Sequence, residues 1–433
     1  MDFSGKKAAF FTLGCKLNFS ETSTIARHFE VKGFDRVDFK EQADVYVVNS
    51  CSVTAESDKK SRNIIRQAIR RNPKALVVVT GCYAQLQADV IQEIEGVDYI
   101  LGTNAKFRMT DFFDDFQKRE SPFLLLQSQN KNRDYYHAAS WGDRTRSFLK
   151  VQDGCDYFCT YCTIPFARGR SRNDTIVNTI AKAKETVAKG IREIILTGVN
   201  IGDFGKSTNE KFIDLLKNLD EVEGLERIRI SSVEPNLLTD EIIDFVVASK
   251  RIAPHFHLPL QSGSNEVLKL MKRKYQREVF TERVSKIRAV LPHAFIGVDI
   301  IAGMNGESEA NFRDSYQFVR DLEVTQLHAF PYSERPGTKA LEIEPVVSVD
   351  ERKARTRQLI QLSEKKMHAF YEKHQGQIRP VLFENETSQK RLHGFTDNYI
   401  RVETDFHPEL VNQVKQAKLS EINNMGNFEV ELI

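Results

Sequence analysis

What this chain of 433 residues lacks narrows the field before anything it contains. No apolar run approaches the ~20 residues that a membrane-spanning helix needs. The opening "MDFSGKKAAFFTLGC" has a short apolar stretch but no small-residue cleavage site, so a cytoplasmic location is expected. Net charge is almost absent too: 62 Lys+Arg stand against 60 Asp+Glu. Any nucleic-acid partner must therefore be held by local patches, because the molecule has no overall field of one sign. Cysteine is scarce, with six in the whole chain. In a reducing compartment so few thiols are metal ligands or catalysts rather than a disulfide framework. Composition is otherwise ordinary, 41% hydrophobic and 28% charged, and the length allows two or three domains with real cores.

Three of the six cysteines end similar segments. "KKAAFFTLGC" closes on Cys15, "ADVYVVNSC" on Cys51 and "ALVVVTGC" on Cys82. Each segment is an apolar, β-branched or aromatic run that reads as a buried strand. Helical stretches separate them: "SETSTIARHFEVKG", with Ser20 as its expected N-cap, and "SDKKSRNIIRQAIRRNP", stopped by Pro73. Strands joined by helical crossovers run parallel, and their C-terminal ends share one edge, where open α/β sheets bind ligands. A single cysteine there would be core filling. Three converging thiols suit an iron–sulfur cluster or a zinc site.

The other three lie in "VQDGCDYFCTYCTIPFARGRSR" as C-x3-C-x2-C: Cys155, Cys159 and Cys162. Three thiolates on one loop can hold three corners of a 4Fe–4S cubane and leave the fourth iron open. Structural zinc wants four ligands, and the nearest upstream histidine, His137, has nothing in the sequence to position it. After this loop come further apolar strands, at 193–199, 227–233, 255–260, 294–303 and 325–332, separated by helices. Small or polar residues gather where these strands end: Thr197, Gly198, Ser231, Glu234, Gln261 to Ser264, Tyr332 and Ser333. In a barrel of parallel strands those ends form the reactive mouth.

The spacing of the second triad, with Tyr161 before its last cysteine, resembles the radical S-adenosylmethionine (SAM) superfamily. Within it, both triads together resemble the methylthiotransferases. The likeness is carried by "LGCKLN" (13–18), "NSCSVT" (49–54), "GCYAQ" (81–85), "GCDYFCTYCTIPFARG" (154–169), "HLPLQSGS" (257–264) and "YSERPGTKA" (332–340). It implies an N-terminal open parallel α/β sheet domain (1–120), a radical SAM partial (β/α)6 barrel (141–370) and a small C-terminal β-barrel of the TRAM, OB-like type (372–433). It also implies two 4Fe–4S clusters, with Cys155, Cys159 and Cys162 binding SAM through one. Cys15, Cys51 and Cys82 would hold an auxiliary cluster carrying sulfur. One SAM would methylate that sulfur, and a second would supply the radical that takes hydrogen from the substrate carbon. Tyr161, Thr197, Gly198, Ser231, Glu234 and Gln261 are the expected SAM contacts, and an electron donor such as a flavodoxin or ferredoxin is implied.

"GCKLN" and "SSVEPNLLTD" resemble the subgroup acting on N6-threonylcarbamoyladenosine (t6A), 3′ of the anticodon in ANN-decoding tRNA. Phe330, Tyr332 and Arg335 are the candidates for contact with the base. The same chemistry on isopentenyladenosine or on a ribosomal-protein aspartate is the nearest alternative, and an RNA-binding scaffold with structural metal is another. One departure from the family is "GMNGES" (303–308), where Asn305 replaces a proline, predicting a more flexible turn. Residues 372–433 hold seven Lys/Arg against ten Asp/Glu, so RNA contact there would rest on groups such as Lys390, Arg391, Tyr399 and Arg401. Denser basic runs are Lys59, Lys60, Arg62, Arg66, Arg70 and Arg71, and "MKRKYQR" at 271–277.

Overall fold

In the computed structural model, residues 3–113, 116–128, 134–384 and 391–433 are described, so the expected RNA contact Lys390 lies outside the described residues. The N-terminal sheet contains β1 (Lys7–Thr12), β2 (Asp35–Val37), β3 (Val45–Ser50), β4 (Leu76–Gly81), β5 (Tyr99–Leu101) and β6 (Phe123–Leu125). Its order is β2-β1-β3-β4-β5-β6, and every pairing is parallel. Both faces are covered, which is why β3 and β4 are buried along their whole length and read as unbroken apolar runs. The three cysteine-bearing strands β1, β3 and β4 are neighbours, as the crossover argument required.

Helix α1 spans Lys16–Val31, α2 Ala55–Arg71 and the short α3 Cys82–Leu86. Ser20 does not cap α1. The helix begins a turn earlier with Cys15 at its N-cap, because Asn18 Nδ2 ties the first turn to Leu13 O (2.8 Å) and Ser50 O (3.1 Å). Ser20 is buried and donates back to Leu17 O at 2.9 Å. The stop before Pro73 holds: α2 ends at Arg71, with Thr54 capping its start through Ser57 N.

The central region supplies six parallel strands in two sheets: β7 (Ser147–Lys150), β8 (Glu193–Thr197) and β9 (Arg227–Ile230), then β10 (His255–Gln261), β11 (Phe295–Ala302) and β12 (Gln326–Pro331). Bridges Ile228–Ile252 and Ser232–His257 join the halves into one curved wall, a partial (β/α)6 barrel. Its core is almost wholly aliphatic, running from Leu149 through Ile194, Ile228, Leu258 and Val298 to Leu327. The long helix Val349–Glu372, opened by a Ser348–Glu351 capping box, leads to a closed barrel of β13 (Ile378–Phe383), β14 (Arg391–Thr396), β15 (Arg401–Asp405), β16 (Val414–Ile422) and β17 (Phe428–Leu432). Closure removes the exposed edges that five short strands would otherwise present. Arg227 and Arg229 lock this barrel to the central one by donating to carbonyls of Pro380, Phe395, Thr396 and Asp397.

The turn at Asn305 is clamped rather than loosened. Asn305 is buried, donates to Ala340 O at 3.2 Å and accepts from Arg352 Nη2 at 3.2 Å. Glu307 adds bonds to Gly303 N (2.6 Å) and Arg355 (3.0 Å). Side-chain bonds to two other segments replace the rigidity that a proline ring would give.

Candidate active site at two cysteine triads

The N-terminal triad is built by turns that only glycine can make. Gly14 has φ +98°, and a Cβ on it would lie 2.7 Å from both Cβ and Sγ of Cys51. Gly81 has φ +96°, and a Cβ there would meet Ser50 O at 2.4 Å. These turns bring the strand ends together, so that Cys51 and Cys82 each lie within electrostatic reach of Cys15. Burial pushes the Cys51 thiol up to about 11, and the neighbouring Cys82 adds to the rise. Cys82 is likewise raised by burial, against the pull of Arg168.

The second triad sits on the loop after β7. Cys155 N donates to Gly169 O (3.0 Å) and Cys162 N to Cys159 O (3.0 Å), folding the loop so that the three thiols face one another. Burial raises all three, Cys162 to about 12. Protonated thiols of this kind release their protons when they ligate a metal. Among the described residues, no three His, Cys, Asp or Glu side chains close on a point that a single ion would fill. The donor set, three thiols per site, fits a cubane, which gives each thiolate its own iron. His137 is positioned after all, but by Asp174 at 2.6 Å.

Arg273 was hidden in the run "MKRKYQR", which reads as a solvated basic patch. It is instead buried, donates to Cys159 Sγ at 3.2 Å and Tyr161 OH at 3.5 Å, and pairs with Glu234. Burial raises the Glu234 carboxyl, opposed by Arg273. Tyr275 OH completes the cluster, 3.1 Å from Arg273 Nη2. No pattern in the local sequence marks Arg273; its partners come from three separate segments.

The remaining expected contacts lie at the strand ends. Thr197 is buried and accepts from Val151 N at 2.9 Å. Gly198 lets Gln152 approach closely, Ser231 is buried at the end of β9, and Gln261 ends β10 with φ +68°. A cavity of about 570 Å³ opens beside the loop, lined by Tyr157, Phe158, Cys159, Cys162, Phe166 and Lys272 among others. The three expected base contacts divide. Phe330 is exposed, whereas Tyr332 is packed with Met271 and Met304, its ring under Arg352. Arg335 is buried, bonded to Ser52 (2.8 Å) and Asp58 (2.6 Å), although it also borders a 150 Å³ cleft with Phe166 and Leu86. Arg335 is thus first a clasp between the N-terminal sheet and the central barrel, seconded by Ala55 N donating to Ser333 Oγ at 3.0 Å.

Between the triads lies a dry ionic network that the sequence did not announce. Glu21, wholly buried, accepts from Lys150 (3.1 Å), from Arg168 (3.0 and 3.2 Å) and from Lys106. Asp153 accepts from Lys150 (2.8 Å), Arg168 (2.9 Å) and Arg172 (2.9 Å). Burial opposes ionisation of Glu21, but Arg168, Lys106 and Lys150 outweigh it and hold the carboxyl far below its usual range. Arg168 is six residues past Cys162, yet it donates to Asn18 Oδ1 at 2.6 Å and reaches Cys82. One guanidinium therefore ties the C-x3-C-x2-C loop to the first turn of α1.

A half-open parallel barrel whose cysteine loop faces a cavity at the strand ends defines a radical SAM enzyme, here with a second thiol site attached through Arg168. Residues 149–319 match the Radical SAM superfamily and residues 7–102 the "Uncharacterized protein family UPF0004". Over 431 residues the chain is 39% identical to the threonylcarbamoyladenosine tRNA methylthiotransferase MtaB of Bacillus subtilis, covering 97% of this chain and 96% of that protein. It is 31% identical to the tRNA-2-methylthio-N(6)-dimethylallyladenosine synthase of Clostridium botulinum, covering 96% and 95%. The chain belongs to the methylthiotransferase family that these proteins share. In fold it resembles the radical SAM methyltransferase TsrM of Kitasatospora setae, with a TM-score of 0.56 at 15% identity, over 78% of this chain and 77% of that one. A 4Fe–4S cluster and SAM go with the superfamily. Among the described residues no helix is long and apolar enough to cross a membrane.

Proposed function

We propose that the chain converts t6A, next to the anticodon of ANN-decoding tRNA, to its 2-methylthio derivative (ms2t6A) by replacing the C2 hydrogen with a methylthio group. The observation that carries this is the pairing of two three-thiol sites across Arg168, in a chain that resembles t6A-named proteins more closely than dimethylallyladenosine-named ones. Cys155, Cys159 and Cys162 hold the cluster that binds SAM, and Cys15, Cys51 and Cys82 hold an auxiliary one. With SAM, the first cluster supplies the radical and the second the sulfur.

The protein's own work is to hold and to shield. Arg273 fixes the Cys159 side of the loop and Glu234 fixes Arg273, so the barrel mouth stays rigid around a reactive carbon radical. Arg168 and the Arg335 clasp keep the two sites at a set separation. Thr197, Gly198, Ser231, Gln261 and Tyr161 border SAM, and Phe330 is the aromatic face offered to a splayed base. The domains are then 1–120 for the auxiliary site, 141–370 for the radical core, and 372–433 as a TRAM barrel contacting tRNA through Arg391, Tyr399 and Arg401. The exposed face of α2, with Lys59, Lys60, Arg66 and Arg70, meets phosphates. The enzyme works in the cytoplasm with a flavodoxin- or ferredoxin-like electron donor.

The test is anaerobic reconstitution followed by mass analysis of nucleosides from tRNA bearing t6A or isopentenyladenosine. Product is expected on t6A alone, with about eight irons per chain as two cubanes require. Changing Cys155, Cys159 and Cys162 to Ala should end SAM cleavage. Changing Cys15, Cys51 and Cys82 to Ala should leave cleavage and stop sulfur insertion. A chain with zinc and no SAM cleavage would defeat the proposal.

A further inference from the structure

Lys16 follows Cys15 directly and is the first residue of α1. Its charged neighbours do not belong to the N-terminal sheet. They are Tyr399, Arg146, Arg229 and Asp299, and its own charge is felt by His255 and His328. Arg229, His255, Asp299 and His328 belong to β9, β10, β11 and β12, so Lys16 projects from the auxiliary site towards the inner face of the central barrel. That face is not filled. On β10, β11 and β12 the residues His257, Asp299 and His328 are only half-buried, while Leu258, Val298 and Leu327 between them are sealed in the core. The alternation leaves a polar hollow inside the wall, with Lys16 above it.

The other charges near this hollow are already matched. Arg229 bonds Glu193 at 3.0 Å, Arg146 bonds Glu384 at 2.8 Å, and Asp299 bonds His257 Nε2 at 2.9 Å. His257 Nδ1 in turn meets Ser232 Oγ at 3.0 Å. Among the described residues the Lys16 ammonium has neither a hydrogen bond nor an ion pair. Burial lowers its pKa below the ordinary lysine value, the mark of a cation withdrawn from water without a counter-ion. Such a cation is costly unless an anion arrives to pair with it.

We infer that Lys16 binds the free carboxylate of the threonyl group on N6 of the substrate adenosine, and so selects the acidic substituent over a hydrocarbon one. The inference rests on the t6A reading above. An N6-threonylcarbamoyl group carries one carboxylate, whereas an isoprenoid group carries none. A cation beside Cys15 can grip that carboxylate while C2 of the same base faces the thiol site. Partners elsewhere are excluded by the ion pairs already made.

The experiment crosses enzyme and substrate changes. Wild type and Lys16→Gln are assayed on tRNA carrying t6A and on tRNA carrying its threonyl amide, which has the same shape without the charge. Iron content is measured on both proteins. Wild type should prefer the acid by roughly 10- to 100-fold in kcat/KM, the size of a charge-assisted hydrogen bond in a sheltered site. Lys16→Gln should erase that preference at unchanged iron content, and Lys16→Arg should restore part of it. Equal losses on acid and amide, or loss of iron in Lys16→Gln, would mean that Lys16 only supports Cys15, and would overturn the inference. If wild type acts on isopentenyladenosine tRNA and not on t6A, the t6A reading itself fails, a result read in the unaltered enzyme and so separable from the first.

Discussion

Replacing Glu21 by Gln keeps the shape of the side chain and removes the one anion that three buried cations share. Its contacts to Lys150 and Arg168 lie at 3.0–3.2 Å, with Lys106 closer still. At such distances and an effective dielectric near 20, each pair is worth roughly 5 kcal/mol before desolvation is subtracted. Measured costs of leaving a buried charge without its partner are about 3–5 kcal/mol. With three cations affected, Glu21→Gln belongs at the upper end of that range, a large share of the ~5–15 kcal/mol that holds a folded domain together. The chain has several units, so a single unfolding free energy is the wrong readout. Native-state hydrogen exchange on the amides of α1 and β7 reads the opening of this interface directly. Protection should fall by roughly 100- to 3000-fold, the equivalent of 3–5 kcal/mol. Adding Lys106→Met should recover at least half of the loss, because it removes one of the stranded cations. A fall below about fivefold, near 1 kcal/mol, would show water screening the network and refute the dry-interior argument.

Two further outcomes follow from glycine geometry and from a buried imidazole. Gly14→Ala places a methyl group 2.7 Å from Cys51 at a backbone angle of +98°, so the auxiliary site should lose its iron, halving the total from about eight to about four, while SAM cleavage persists. Gly142→Ala, with φ +81° and nothing within 4 Å, is the control for backbone strain alone and should leave iron unchanged. His255 is held neutral, well below the ordinary histidine value, by burial and by Arg229. Its folded pKa is depressed, so the unfolded chain takes up the extra proton as pH falls through ~6.5, and stability drops by about 1.4 kcal/mol per pH unit below that point. His255→Phe preserves stacking on Phe295 and should narrow the gap between urea midpoints at pH 7.5 and 5.5; an unchanged gap would contradict the assignment.

Much of this was legible because parallel sheets obey a simple edge rule. Apolar runs ending in Cys15, Cys51 and Cys82 had to converge once helices separated them, and glycine at 14 and 81 made the approach physically possible. The six barrel strands were equally plain, being long and β-branched. What escaped was short or distant. β2, β5 and β6 have three residues each, too few for a period to show. Ser20 has the chemistry of an N-cap, but Asn18 and its two carbonyl partners set the helix start instead. Arg273, Arg168 and Glu21 find partners 39 to 150 residues away, and a basic run in sequence looks alike whether its arginine is solvated or sealed. Arg335 was singled out for the wrong reason: it serves a neighbouring element before it could serve a base.

The position of Arg168 also dictates an order of assembly. By residue 82 the chain has produced every thiol of the first site, and by residue 106 it has buried the first cation beside Glu21. Lys150, Asp153 and Arg168 emerge only later, from the segment that carries the second cysteine loop. Until then Asn18 and Glu21 lack most of their partners, so the N-terminal sheet cannot finish its own first helix turn as it leaves the ribosome. The loop that prepares one thiol site is thus the last structural part of the other, and a chain cut short before residue 168 would have all three N-terminal cysteines without the residue that locks them in place.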